Sequence, residues 1–228
     1  MKIIVARYNE DVKWANEFPN VIIYNKGDPL DRPSRRKLWG PARLGWPCSE
    51  RTSARWGAPR AARRAALPLE TWESLLNVGR EGHTYYKYIY DNYDTLDDYT
   101  IFLQGNPFDH SPNILEKLRK YTKAETLDID FEYLSELQIH YNLGIGDWFH
   151  HPTLPLVKMY EYLFNEIRYD INVVFGAGAQ FIVSKQRILQ RSRDFYLKII
   201  NLLEYDVNPI EGHIIERFHP IIFSQLSA

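Results

Sequence analysis

Arg80, Glu81 and His83, in Asn77-Val78-Gly79-Arg80-Glu81-Gly82-His83-Thr84-Tyr85, are among the residues of this chain best suited to chemistry. Gln104, Gly105, Asn106, Asp109 and His110, in Phe102-Leu103-Gln104-Gly105-Asn106-Pro107-Phe108-Asp109-His110, form a second such group. Each piece sets polar, charged and glycine residues at a strand–helix boundary, where α/β proteins build ligand sites. Gly79-Arg80-Glu81 opens a helix, where free N–H groups and the helix dipole attract phosphate and Arg80 can add a bidentate contact. The alternative there is a local Arg80–Glu81 surface pairing. Asp109 offers carboxylate oxygen to a hard ion such as Mg²⁺ or Mn²⁺, with His110 as co-ligand or hydrogen-bond partner. The alternative is an Asn106-Pro107 turn leading into a capped helix.

Arg7-Tyr8-Asn9-Glu10-Asp11 follows the first apolar run. A Tyr at that point can stack on a nucleobase, and Asn or Asp can bond its edge or the ribose. An ordinary polar loop with Asn9 or Glu10 near a helix start reads equally well. Near the C-terminus, Glu211, Glu216 and His219 sit on or beside one helix, with Glu216 and His219 spaced i, i+3. His219 reads either as a metal or phosphate ligand or as a packed helix residue. Asp128-Ile129-Asp130 resembles a D-x-D metal motif but follows a helix and reads as solvated. His150-His151 lacks the i, i+4 spacing of zinc pairs, and a single Cys argues against structural zinc. Neither a G-x-S-x-G elbow nor a Walker loop is present.

The elements that position these groups alternate. Ile3-Ile4-Val5-Ala6 and Val21-Ile22-Ile23-Tyr24 are short buried strands of the parallel kind, with a short helix over 11–18 between them. Tyr85, Tyr88, Ile89 and Asn92 share the face of a helix over 81–92. Thr100-Ile101-Phe102-Leu103 is a further strand. Ser111 then acts as N-cap and Pro112 as first residue of a helix carrying Ile114, Leu115, Leu118 and Tyr121. A helix covers 154–168, a glycine-rich turn in 173–183 leads into a strand, and Ser184 caps a long helix to about Leu203. A last helix covers 209–218. This order predicts one α/β domain over 1–228.

At 228 residues, with 45% hydrophobic and 25% charged positions, the composition is that of a soluble globular protein. The lone Cys48 excludes an internal disulfide framework and leans to a reducing compartment. The N-terminal apolar run is too short for a signal peptide and none reaches a membrane span, so a cytoplasmic location is expected. The net charge of −1 conceals a division. Residues 31–66 hold nine Arg and Lys37 against Asp31 and Glu50, leaving 18 basic and 27 acidic groups elsewhere. That Arg-, Pro- and Ala-rich stretch has no sustained period and interrupts the domain. It reads either as a basic arm for nucleic acid or acidic lipid, or as a disordered insertion, or as residues never selected to fold, such as translated intron or out-of-frame sequence. Its Trp-Gly-Pro-Ala content favours the insertion, and no nucleic-acid partner is expected.

Ile4 to Asp11, Ile23-Tyr24-Asn25-Lys26-Gly27, Asn77 to Tyr85, Asp91-Asn92-Tyr93-Asp94 and Phe102-Leu103-Gln104-Gly105 together resemble the signature of the DUF3431 family. Gly178 to Ser184, Phe195-Tyr196 and Glu216 to Phe223 resemble its C-terminal pattern. The resemblance covers 1–30 and 69–225 and departs over 31–68, where a shorter connection is expected. That family is in turn similar to GT-A-fold glycosyltransferases, including a chlorovirus domain thought to glycosylate capsid protein. The resemblance implies a Rossmann-like, mixed but mostly parallel sheet flanked by helices. It implies a nucleoside-diphosphate sugar donor, a glycan or protein acceptor, and Mn²⁺ or Mg²⁺. Arg7, Tyr8, Asn9, Asp11 and Lys26, with Arg80, Glu81, His83, Gln104, Gly105 and Asn106, would hold the donor. Asp109 and His219 would hold the metal, and Glu211 or Glu216 would deprotonate the acceptor. The rival readings are a nucleotide- or sugar-binding module without turnover, and a metal-dependent hydrolase with His83, His110 and His219 around one ion.

Overall fold

The computed structural model describes residues 1–28, 72–145, 151 and 153–223; the insertion expected at 31–66 lies outside them, as does His150. Strand β1 (Lys2–Arg7) pairs in parallel with β2 (Val21–Asn25) on one side and β4 (Tyr99–Gln104) on the other. A short β3 (Trp72–Ser74) extends the β2 edge in parallel. Beyond β4 come β8 (Phe181–Ser184) and β5 (Phe131–Tyr133), each antiparallel to its neighbour, for a six-stranded order β3-β2-β1-β4-β8-β5. Strands β6 (Gln138–Asn142) and β7 (Asn172–Gly176) form a separate antiparallel pair.

The period of two in the central strands divides the core. Ile4, Ala6, Tyr24, Phe102, Phe181 and Val183 face one layer, built from α1 (Arg80–Asp91), α3 (Leu156–Phe164), α5 (Arg193–Leu203) and α6 (Ile210–Ile222). Ile3, Val5, Ile23, Ile101, Leu103 and Ile182 face the other, covered by a 3₁₀ turn (Lys13–Glu17) and α2 (Ile114–Lys123). Burial on both faces is why these strands read as continuous apolar runs.

Among the boundaries that differ from the sequence reading, three have a local reason. Helix α2 starts at Ile114, because Ser111 is buried and donates its hydroxyl to Leu134 O at 2.7 Å. The helix expected over 154–168 stops at Phe164, where Asn165 takes a left-handed φ of 57° and Ile167 is left exposed. Ser184 does cap a helix, accepting from Arg187 N at 3.2 Å, but that helix α4 (Lys185–Ile188) ends after one turn. Ser192 then caps α5 afresh, accepting from Phe195 N at 3.2 Å. No helix among the described residues is long and apolar enough to cross a membrane.

From β1 the chain moves to β2 and β3 on one side, then crosses to β4 on the other. The connections leaving the carboxyl ends of β1 and β4 therefore diverge, and open α/β sheets bind ligands in the crevice so formed.

Candidate functional site at the carboxyl ends of the strands

A cleft of about 480 Å³ occupies that crevice, within the usual size of small-molecule sites. The loop after β1 supplies Arg7, Tyr8 and Glu10, β2 leads to Lys26, β4 ends in Gln104, and Asn106 and Asp109 follow it. The start of α1 brings Asn77, Arg80 and Glu81, and the α5–α6 loop brings Val207 and Asn208. The wall is thus a mixture of three cations, three carboxylates, several amides and one exposed aromatic ring, Tyr8.

Lys26 sets the geometry of the α1 side. Its Nζ donates to Val78 O at 2.6 Å and also to Arg80 O. Those carbonyls flank Gly79 and Arg80, which both have positive φ, 63° and 52°. An Arg in that region is strained, so the turn must be held from outside. Burial pushes the Lys26 ammonium down to about 8, with the Glu81 charge opposing. The N–H groups of Gly79 and Arg80 are bonded to Asp206 O and Val207 O at 2.8 and 3.2 Å. Those two N–H groups, expected to be free for phosphate, instead fasten α1 to the α5–α6 loop.

The Arg80 side chain lies across the first turn of α6. Gly212 admits it, since a Cβ there would meet Arg80 Cδ at 3.1 Å. Its Nη1 donates to Asn208 Oδ1 at 3.2 Å and sits 3.3 and 3.1 Å from Nδ1 and Nε2 of His213. Its Nε is 3.8 Å from Glu81 Oε2. Burial, then the charges of Arg80, His151 and Arg217, push the His213 imidazole down to about 4. The His151 ring lies 4.3 Å away, centre to centre.

Behind the Glu81 side of the cleft stands Glu216. Its Oε1 accepts from Gly178 N at 2.8 Å, and burial followed by the Glu81 charge raises its carboxyl to about 7. Glu211 instead accepts from the Tyr205 hydroxyl at 2.6 Å and does not line the cleft.

Other residues proposed from sequence serve local structure. Arg7 is buried and its guanidinium donates to Glu10 O at 2.9 Å, Tyr8 O at 3.1 Å and Asn25 Oδ1, tying two loops together at the cleft floor. Asn9 Oδ1 accepts from Asp28 N at 2.9 Å, and Asp11 Oδ1 from Lys13 N at 3.0 Å; neither lines the cleft. Gly105 contributes space, since a side chain there would strike Glu10, and its carbonyl accepts from Trp14 Nε1 at 3.0 Å. His83 is buried just behind, its imidazole pushed down to about 4 by burial and by Lys26 and Lys87.

Asp109 and His219 are not brought together. Asp109 is exposed on the cleft, accepting from Asn106 Nδ2 at 2.9 Å. His219 is fully buried among aromatic rings, 4.6 Å from Phe181 and 6.0 Å from Tyr86, with neither ring nitrogen hydrogen-bonded. Among the described residues no three His, Cys, Asp or Glu side chains group to hold a metal ion. The expected donor set therefore does not fit a resident cation.

Glu10, Asn208 and His213 were not singled out from sequence as ligand contacts. Glu10 lay inside the Arg7–Asp11 motif and could have been found there. Asn208 and His213 carry no local signal, because only the docking of α6 on α1 brings them to Arg80.

Residues 66–228 match the family described as "Protein of unknown function (DUF3431)", and the chain belongs to it. No curated protein and no solved structure matches the chain.

Proposed function

We propose that this DUF3431 member is a glycosyltransferase that moves a sugar from a nucleoside-diphosphate donor to an acceptor hydroxyl, on a GT-A-like fold. The observation that supports this most directly is one cleft at the sheet's switch point that offers an exposed Tyr8 ring together with the Arg80 and Lys26 cations. In this reading Tyr8 stacks on the base, the amides of Gln104 and Asn106 meet the hydroxyls, and Arg80 faces the diphosphate.

Transfer forms a bond from the acceptor oxygen to the anomeric carbon and breaks the bond from that carbon to the donor phosphate oxygen. The electron pair leaves with the nucleoside diphosphate, whose growing charge Arg80 stabilises. The acceptor proton passes to a carboxylate. Glu216, raised to about 7 and adjoining the cleft-lining Glu81, suits general-base work near neutral pH better than Glu211. A cation, if used, would arrive with the donor phosphates, as Mg²⁺ commonly does. A binding module without turnover is the second reading, and it draws on one observation: Glu216 stands beside the cleft rather than on its wall.

The test is a thermal-shift panel of UDP-, GDP- and dTDP-sugars, with and without Mn²⁺, on wild type and Tyr8→Ala. A donor at 100 times its dissociation constant adds about 2.7 kcal/mol, or several degrees. One nucleotide class should shift wild type and lose most of that shift in the variant. Folded protein that responds to no donor would remove this reading.

A further inference from the structure

Arg80 is a cation whose partners are poorly matched to its charge. Its Nη1 is shared between the neutral amide oxygen of Asn208 and the imidazole of His213, and its carboxylate contact with Glu81 is long at 3.8 Å. Charge-assisted, bidentate bonds to an oxyanion are considerably stronger than bonds to such neutral acceptors. The position is also built for charge of that sign. Arg80 opens α1 and lies on the first turn of α6, so the positive dipole ends of two helices meet there. The N–H groups of Gly79 and Arg80 at the start of α1 are already bonded to the α5–α6 loop. Arg217 and His151 add basic groups next to His213, and a glycine at 212 leaves the guanidinium its place.

We propose that Arg80, Asn208 and His213 form an anion subsite at the α1–α6 end of the cleft, taking a phosphoryl or diphosphoryl group. On arrival the oxyanion takes over the guanidinium from Asn208 Oδ1 and the His213 ring. Asn208 is then free to turn its amide N–H toward the anion, and His213 presents a ring N–H. Arg80 supplies the charge, while residues of α6 supply direction. The proposal rests on the donor reading for its natural ligand, but binding of a simple diphosphate does not depend on a sugar or a base.

The experiment is isothermal titration of the full chain with inorganic pyrophosphate in metal-free buffer. Wild type should bind, and Arg80→Gln and His213→Gln should each weaken binding about tenfold or more, the loss expected for a hydrogen bond to a charged group. Asn208→Asp alters only an exposed loop residue and sets a competing carboxylate against Arg80, so it should also weaken binding about tenfold without loss of fold. Lys123→Gln, which removes an exposed cation at the far end of α2, should bind as wild type. No heat from folded wild type, or equal affinity in Asn208→Asp and wild type, would overturn the subsite. Pyrophosphate binding without any donor response would keep the subsite and remove the sugar reading; the reverse would remove the subsite alone.

Discussion

Glu216 accepts a hydrogen bond from the Gly178 N–H at 2.8 Å, while the like charge of Glu81 pushes against it. Gly178 can offer that N–H because it sits at φ 85°, with His110 packed where a side chain would be. The carboxyl is thereby fixed in place, yet burial and Glu81 hold its proton on up to about 7. The folded state therefore binds this proton more tightly than the unfolded chain. Its contribution to stability is full below the free value of 4.5 and is lost as pH rises towards 7. Glu216→Gln keeps an acceptor for Gly178 and removes the titration. It should raise stability over wild type at pH 8 by on the order of 2–3 kcal/mol and change little at pH 4.5. Melting curves at both pH values check this, and an equal difference at the two would contradict it.

Gly212→Ala separates stability from binding. Alanine is better than glycine by up to about 1 kcal/mol in a helix, less near its ends, and Gly212 lies in the first turn of α6. The new methyl would press on Arg80 Cδ at 3.1 Å, the middle of a flexible side chain that can move aside. Melting temperature should hold or rise, whereas pyrophosphate affinity should fall several-fold as the guanidinium is displaced. A variant that binds pyrophosphate as tightly as wild type would show that the position of Arg80 on α6 is irrelevant to the anion.

The legible parts of this protein were those governed by short-range pattern. β1, β2 and β4 announce themselves as apolar runs because helices cover both faces of the sheet. Tyr8, Lys26, Arg80, Gln104, Asn106 and Asp109 reach one cleft because each follows a strand or opens a helix. The three-residue strands β3 and β5 are too short to carry a period, and they owe their pairing to neighbours far along the chain. Asn9 and Asp11, expected at the donor, are drawn away by competition of another kind: Asn9 accepts from the Asp28 N–H of the loop after β2, and Asp11 from the Lys13 N–H two residues on. On α6 the buried residues, among them Ile214, Ile215, Arg217, Phe218 and His219, cover more than half of the helix circumference, so an i, i+3 spacing could not say which face meets the cleft.

Lys26 should titrate far below an ordinary lysine. Its ammonium is held down to about 8 by burial, and it donates to two backbone carbonyls beside the strained Arg80. A lowered value means that the folded state gives up this proton earlier than the unfolded chain, so the charged form costs stability below 8 and that cost fades between 8 and 10.5. Reductive ¹³C-methylation followed by NMR should show one resonance with a midpoint near 8, absent in Lys26→Arg. If every lysine resonance moves together near 10.5, Lys26 is not buried as described.

His219 tests whether the C-terminal helix supplies a metal ligand or a core ring. Its imidazole is fully buried against Phe181 and Tyr86, neither nitrogen has a partner, and burial pushes it down to about 3. The unfolded chain takes up the proton near 6.5 and the folded chain does not, so stability is lost as pH falls through that window. Phenylalanine can occupy the same aromatic site without titrating or burying unpaired nitrogens. His219→Phe should match or exceed wild type at pH 8 and gain a further 1–3 kcal/mol, roughly, at pH 4.5. Any shift that Mn²⁺ adds to donor binding should survive the substitution. Its disappearance, with the protein still folded, would return His219 to the list of metal ligands and show that α6 rearranges when donor binds.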